Sequence, residues 1–358
     1  MKLLYAYTQE LKDASIRDVS QDIKIFGQLY KLDADAWITD RTGTLSFPFS
    51  EHLLDKYAID DAYRERSKNV RVTFSQAAIG QANEFLDTQQ PLYVLWSGGI
   101  DSTAILVSFL QTGRSLDNVT VILNYSSVTE YKLFYEQYIK TTFKILVTEE
   151  AMLLMSLGKL DGIVISGEQA DQLVGSPLST FILQRMPPGS LGAKFNYANF
   201  NALCNAKGMD EQSTRCWYEL YSSTFDKAPR TIETMFDLAW WHGFNFKWQK
   251  GAFVMYLRVH KDIDVRPFYS GLPFQDWSIH YMPELANIKF EVKDFVFNFT
   301  GDKIYHSNKI KHPSSTLYYA VPASAAVNDS FDKIQQKDFN LNDFYNPNNS
   351  IVKWLNKL

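Results

Sequence analysis

The residues with the clearest chemical potential form one short loop, Ser97-Gly98-Gly99-Ile100-Asp101-Ser102. Its two glycines let the backbone approach an anion without interference from a Cβ atom, and amides at the start of a following helix bind negative charge. Ser97 and Ser102 add hydroxyl donors. A carboxylate here would repel phosphate unless a divalent cation lay between them, so Asp101 is a candidate Mg²⁺ ligand. The loop is predicted to bind pyrophosphate; the alternative is a glycine turn in which Asp101 only caps the helix.

The segments around this loop predict an α/β fold with a doubly wound parallel sheet. The loop follows a continuously apolar run at 92–96, which is typical of a strand buried on both faces of a parallel sheet. Strands and helices then alternate, and the carboxyl ends of such strands form one ligand crevice. The further predicted strands are 119–125, 144–147 and 162–166, and the predicted helices are 102–111, 129–141 and 150–157.

The sequence also predicts how the chain divides into domains. Residues 1–88 are expected to form a small α+β domain of unknown role, with a hairpin or meander in 23–49 around a turn at 40–43 and a helix near 75–86. Gln89 to Pro91 interrupt the pattern and mark the boundary. The remaining predicted domains are the α/β core at 89–177, a mainly helical, aromatic-rich lobe at 178–312 and a C-terminal tail at 313–358.

Two strings of this sequence resemble those of a known family. The string at 97–102 resembles the SGGxDS loop of the PP-loop ATP pyrophosphatases, which cleave ATP between the α and β phosphates. The string at 166–175 is similar to the SGEGADELFGG segment of asparagine synthetases. The resemblance implies an adenine nucleotide α-hydrolase-like sheet, with ATP and Mg²⁺ as substrate and cofactor. The GxxxxGK[ST] spacing of kinase-type loops is not present, which disfavours γ-phosphate transfer.

The second string implies further site residues. By resemblance, Gly167 contacts the nucleotide and Asp171 shares the metal or pyrophosphate region with Asp101. Glu168 would lie near the reacting carbonyl, as the base that deprotonates an attacking amine. The alternative for Glu168 and Asp171 is a solvated helix start, where acidic residues are favourably placed.

Further segments of the chain resemble the family more weakly, and they occur in the same order along the sequence as in the family. By resemblance, Leu123 and Ser126 lie near adenine and ribose, and the alternative is a capping box from Ser127 to Glu130. Lys309 falls where the family carries a lysine that stabilises departing pyrophosphate, and the alternative is a merely basic surface. The string at 273–276 resembles the PFLD segment of the synthetases; its alternative is an ordinary turn.

Two departures from the family limit what the resemblance implies. Met1 is followed by Lys2 and the first cysteine is Cys204, so we expect no glutaminase activity. The amine would be free ammonia, ammonia from a separate amine-supplying protein, or an amino group of a larger substrate. Gln172 replaces the second acid of the family's Asp-Glu pair, which puts aspartate itself in doubt as the substrate.

Composition excludes several other classes of protein. The net charge of −4 argues against bulk electrostatic binding of nucleic acid, and two cysteines are too few for a disulfide framework or a four-cysteine zinc site. Since no long apolar run is present, we expect a cytoplasmic protein without a membrane partner.

The predicted function is an ATP-dependent amide-forming ligase that adenylates a small carboxylic acid, releases pyrophosphate and transfers the acyl group to ammonia or an amine. One alternative is an enzyme that adenylates a nucleobase in tRNA or DNA, which would make nucleic acid the partner. Another is a non-catalytic nucleotide-binding protein that has lost turnover.

Overall fold

The computed structural model divides the chain into two compact units. It describes residues 22–25, 28–31, 40–44, 58–148, 151, 155, 158, 160–248, 263–284 and 287–308. The described residues of the first, here called the helical unit, fall within Met1–Val72, Glu168–Leu257 and Phe274–Phe290. Those of the second, here called the sheet unit, fall within Thr73–Gly167, Arg258–Pro273 and Glu291–Leu358. The predicted domains at 1–88, 89–177 and 178–312 stay predictions, and 313–358 lies outside the described residues.

The sheet unit is an α/β structure built on five parallel strands in the order β5-β4-β3-β6-β7. In chain order the strands are β1 (Asp22–Ile25), β2 (Gln28–Lys31), β3 (Leu92–Leu95), β4 (Val119–Leu123), β5 (Lys144–Val147), β6 (Ile163–Ser166) and β7 (Asp264–Pro267). The strands predicted at 92–96, 119–125, 144–147 and 162–166 are confirmed as β3 to β6. The edge strand β7 was not predicted. The parallel sheet flanked by helices confirms the α/β class.

Burial explains why the central strands form. All four residues of β3 are buried, as are all four of β6, because β3 lies between β4 and β6 and helices flank the sheet. Continuous apolar runs suit strands that are covered on both faces. Helix Phe74–Asp87 packs against helix Ile100–Gln111 within the same unit.

Three predicted helices of the sheet unit, those near 75–86, at 102–111 and at 129–141, are confirmed with shifted ends. The helix near 75–86 is Phe74–Asp87, held at its start by a capping box between Thr73 and Gln76. The helix predicted at 129–141 begins earlier and is broken near Tyr131. Most of the predicted helix 150–157 lies outside the described residues. Helices Leu272–His280 and Phe290–Thr300 each have residues in both units. The α- and π-helical segments that lie wholly in the sheet unit are Phe74–Asp87, Ile100–Gln111, Tyr125–Glu130, Lys132–Phe134, the π-helical Tyr135–Ile139, Lys140–Thr142 and Lys303–Asn308.

The helical unit is assembled around buried aromatic side chains. Strands β1 and β2 pair as an antiparallel hairpin. This hairpin precedes the turn at 40–43 around which a hairpin or meander was predicted, and the segments 32–39 and 45–57 that flank the turn lie outside the described residues. The predicted turn at 40–43 is confirmed, since the Asp40 carboxylate accepts from the Thr42 amide at 3.0 Å. The helices that lie wholly in this unit are Asp61–Asn69, Ala170–Leu173, Ser176–Arg185, Tyr197–Ala206, Glu211–Ser222 and Met235–Trp241, followed by the π-helical His242–Phe246.

A buried arginine organises part of that aromatic core. The guanidinium of Arg41 lies 4.6 Å from the ring centre of Phe244 and 4.4 Å from that of Trp248. It also donates to the carbonyl of Phe244 at 2.8 Å and to the side chain of Gln275 at 2.6 Å. None of the helices in the described part of the chain has the length and apolar character needed to cross a bilayer.

Candidate functional site

The site is defined by a reversal in the order of the strands. From β3 the chain adds β4 and then β5 on one side, and β6 is added on the other side of β3. In open α/β sheets, ligands bind in the crevice outside the carboxyl ends of the strands at such a switch point. The loop at 97–102 begins just after β3, and Ser166 is the last residue of β6. Both predicted strings therefore start at this switch point.

The first glycine of the loop is required by its backbone conformation and by its neighbours. Gly98 has a φ of +75°, in the left-handed region that favours glycine. A Cβ atom at this position would lie 2.8 Å from the Cβ of Glu130 and closer still to the carbonyl oxygen of Ser127. The loop therefore packs directly against the backbone of helix Tyr125–Glu130.

The serine hydroxyls hold the shape of the loop. The Ser102 hydroxyl donates to the Gly99 carbonyl at 3.1 Å and accepts from the Ser97 amide at 3.1 Å. The Ser97 hydroxyl accepts from the Gly99 amide at 3.2 Å, and its own proton is directed to Ser102, 3.1 Å away. In this arrangement both hydroxyl protons are used inside the loop, so a bound anion would meet backbone amides first.

The helix that follows begins without a side-chain cap. Its N-cap is Gly99, which provides no side-chain hydrogen bond to the first turn of helix Ile100–Gln111. Asp101 is half-buried in the first turn, and the alternative in which it caps the helix is wrong. The positive end of the helix dipole, with no side-chain cap on it, favours an anion here.

The second string meets the first loop at Gly167. A Cβ atom on Gly167 would lie 3.6 Å from the Ser102 amide nitrogen and 3.8 Å from the Cβ of Asp101. The predicted nucleotide residues at 97–102 and Gly167 are thus brought together. Next to them, the fully buried Ser166 hydroxyl has no hydrogen-bond partner among the described residues.

Leu123 and Ser126 lie where the next strand ends. Leu123 is the last residue of β4, and Ser126 is buried in helix Tyr125–Glu130. The cap of this helix is Asn124, whose side chain accepts from the Ser127 amide at 2.8 Å. The predicted capping box from Ser127 to Glu130 is wrong, because Asn124 starts the helix three residues earlier.

Two tyrosines that sequence reasoning missed bind the carbonyls of the loop. The Tyr305 hydroxyl donates to the Gly98 carbonyl at 2.9 Å, and the Tyr269 hydroxyl donates to the Asp101 carbonyl at 2.6 Å. Burial raises the pKa of both phenols well above the ordinary value, and the charge of Asp101 adds to the effect. Both hydroxyls therefore stay protonated donors at neutral pH. No local spacing in the sequence indicates them.

Glu168 and Asp171 belong to the helical unit. Asp171 is in the first turn of the short helix Ala170–Leu173, half-exposed, and its carboxylate forms an ion pair of 2.6 Å with the ammonium of Lys289. Glu168 is half-buried, and Gln169 between them has a φ of +73° and donates to the Trp248 carbonyl at 3.1 Å. Lys289 was not predicted. The ion pair shows that Asp171 has a charge partner within its own unit.

The string at 273–276 is helical. It lies in helix Leu272–His280, so the ordinary turn considered for it is wrong. The buried Asp276 carboxylate accepts two hydrogen bonds from the Arg66 guanidinium, each 2.7 Å long. Asp276 is thus the buried member of an ion pair whose arginine is partly exposed, within the helical unit.

The residues that could hold Mg²⁺ or stabilise pyrophosphate are only partly described. Lys309 lies outside the described residues. Within the described ranges, no group of three or more His, Cys, Asp and Glu side chains is arranged to hold a metal ion. Mg²⁺ commonly takes one or two carboxylates together with substrate phosphates, and Asp101 could supply such a carboxylate. No protein-family model and no curated protein matches this chain.

Proposed function

We propose that this chain binds Mg²⁺·ATP at the switch point of the sheet, with the β and γ phosphates on residues 97–102. The observation that carries the proposal is the start of helix Ile100–Gln111, which has no side-chain cap, follows Gly98 and Gly99 and lies against Gly167. A glycine-rich turn that leads from a buried strand into a helix suits the binding of phosphate.

The described residues support particular roles toward the nucleotide. The amides of the first helical turn hold phosphate oxygens, and the serine hydroxyls keep the loop in shape. Asp101 would hold the magnesium ion, which, when bound, neutralises phosphate charge and stabilises the pyrophosphate leaving group. Leu123 and Ser126, at the end of β4, would meet the adenosine moiety.

The reaction that we propose is carboxylate adenylation followed by amide formation, in a PP-loop ligase of the asparagine synthetase type with an adenine nucleotide α-hydrolase-like sheet. An oxygen of the substrate carboxylate attacks the α-phosphorus, and pyrophosphate leaves. Ammonia or an amine then attacks the activated carbonyl, and AMP leaves. By resemblance, Glu168 takes the proton of the amine, and Lys309 stabilises the departing pyrophosphate.

ATP–pyrophosphate exchange tests the proposal. Exchange should need Mg²⁺ and one member of a panel of small carboxylic acids, and the products with an added amine should be AMP and pyrophosphate. Asp101→Asn should lower exchange by about 100-fold, the effect of removing one charge-stabilising group from an active site. Asp117→Asn is the matched control, because Asp117 is an exposed aspartate of the same unit.

Three outcomes would overturn parts of the proposal. Formation of ADP in place of AMP would exclude adenylation. Equal exchange by Asp101→Asn and the control would remove Asp101 from the site. Stimulation by a nucleic acid and by none of the carboxylic acids would replace the carboxylate with a nucleobase as the adenylated group.

A further inference from the structure

Tyr305 is buried beside the loop at 97–102. It lies on helix Lys303–Asn308, where the Asp302 carboxylate accepts from the amides of Ile304 at 2.9 Å and Tyr305 at 3.0 Å. Its ring stacks on that of Tyr131, with ring centres 3.5 Å apart and planes inclined by 5°. Both rings are almost fully buried. The hydroxyl of Tyr305 is therefore aimed by its backbone and by its ring.

A second hydroxyl, that of Thr103, lies next to this tyrosine. The Trp96 indole donates to the Thr103 hydroxyl at 3.1 Å, and the Tyr305 hydroxyl lies 3.3 Å from the same oxygen. The Tyr305 hydroxyl therefore has two acceptors, and the Gly98 carbonyl, at 2.9 Å, is the closer of them.

This bond helps to fix the orientation of the peptide between Gly98 and Gly99. This peptide is flanked by two residues without Cβ atoms, which gives its backbone more freedom than an ordinary peptide has. Its amide end is bonded to the Ser97 hydroxyl at 3.2 Å, and its carbonyl end is bonded to Tyr305. A carbonyl turned toward a bound phosphate would repel it, whereas the same carbonyl on Tyr305 is held away. The Tyr269 hydroxyl engages the Asp101 carbonyl one turn further along.

We propose that Tyr305 is a positioning residue for phosphate binding: its hydroxyl holds the Gly98 carbonyl inward, so that amides and not carbonyls of the loop face the phosphate chain. The inference rests on the proposed function, because it assumes that the loop binds phosphate. The proposal adds Tyr305, which is distant in the sequence, to the candidate site. Its role would be to orient the loop that binds the β and γ phosphates.

Tyr305→Phe tests the proposal because it removes the hydroxyl and keeps the stacked ring. Tyr135→Phe is the matched control, since Tyr135 is a fully buried tyrosine of the same unit whose hydroxyl has no hydrogen-bond partner among the described residues. Calorimetry with wild type and both variants would use Mg²⁺-pyrophosphate, Mg²⁺·ATP and adenosine as ligands. Hydrogen exchange of the amides at 97–103 would be measured without any ligand.

We expect Tyr305→Phe to weaken binding of pyrophosphate and ATP by about tenfold and to leave adenosine binding unchanged. Loop amides should exchange faster in Tyr305→Phe than in Tyr135→Phe. Loss of all three ligands together would indicate general destabilisation and would overturn a positioning role. Equal loop exchange in the two variants would overturn it as well.

The two proposals can fail separately. If wild type binds none of the three ligands while Tyr305→Phe still speeds hydrogen exchange of the loop amides, the proposed nucleotide site is wrong. The hydrogen bond from Tyr305 to the Gly98 carbonyl would still be shown to restrain the loop. If Tyr305→Phe does not fold, Tyr269→Phe removes the second loop-binding hydroxyl. The same tests then apply, with the same selective loss expected for phosphate-containing ligands.

Discussion

Gly98→Ala should destabilise the protein through two separable effects. The first is the left-handed backbone at φ +75°, which disfavours an alanine by about 1–2 kcal/mol. The second is overpacking, because the new Cβ would lie 2.8 Å from that of Glu130 and closer still to the Ser127 carbonyl. Overpacking of a filled site is worth about 1–3 kcal/mol. The expected total is about 2–5 kcal/mol.

Gly113→Ala separates the two effects. Gly113 has a φ of +67°, and a Cβ atom there would meet nothing within 4 Å, so this variant carries only the backbone effect. Urea unfolding followed by circular dichroism gives the free energy of unfolding of each variant, and similar slopes with denaturant make the two comparable. We expect Gly98→Ala to be the less stable by about 1–3 kcal/mol. Equal destabilisation would refute the close packing of the loop on helix Tyr125–Glu130.

Three further predictions concern stability. Arg230→Leu should lower the free energy of unfolding by about 3 kcal/mol, because it leaves the buried Asp237 carboxylate without the guanidinium 2.6 Å away; a loss under about 1 kcal/mol in urea would contradict this. Burial raises the pKa of Cys204 to about 11, so its neutral thiol stabilises the fold fully below pH 9 and loses that contribution as the pH rises through 11. Wild type should therefore lose about 2 kcal/mol relative to Cys204→Ser over this range, and a constant difference between their unfolding curves would argue against it. Asn124→Ala removes the cap on Ser127 and should cost about 1–2 kcal/mol; an unchanged thermal midpoint would show that the cap is dispensable.

The sequence predicted the strands that are apolar along almost their whole length. Strands β3 to β6 are apolar almost throughout, because neighbours and helices cover them, and such runs are recognisable without a structure. Strand β7 reads Asp264-Val265-Arg266-Pro267, with alternating burial at the edge of the sheet. Because this strand contains two charged residues and a proline, it lacks the apolar pattern by which a strand is recognised in a sequence.

The candidate site was predictable only where its parts are local. The loop at 97–102 carries its glycines, serines and aspartate in one string, so spacing alone indicated an anion site. The start of helix Tyr125–Glu130 was predicted too late in the sequence. Asn124 and Ser127 are both residue types that favour the N-cap position, so residue type alone does not distinguish them. Tyr305 binds a carbonyl 207 residues away, a pairing that no periodicity expresses.

The place of β7 has a consequence for how the protein is made. Ile163 in β6 pairs with Asp264 in β7, so this side of β6 has no neighbour until a further hundred or so residues have left the ribosome. At about 5–20 residues per second, that wait is roughly 5–20 s. During it, an apolar strand edge is open to pairing with other nascent chains. We expect aggregation during synthesis to rise when elongation between these two strands is slowed.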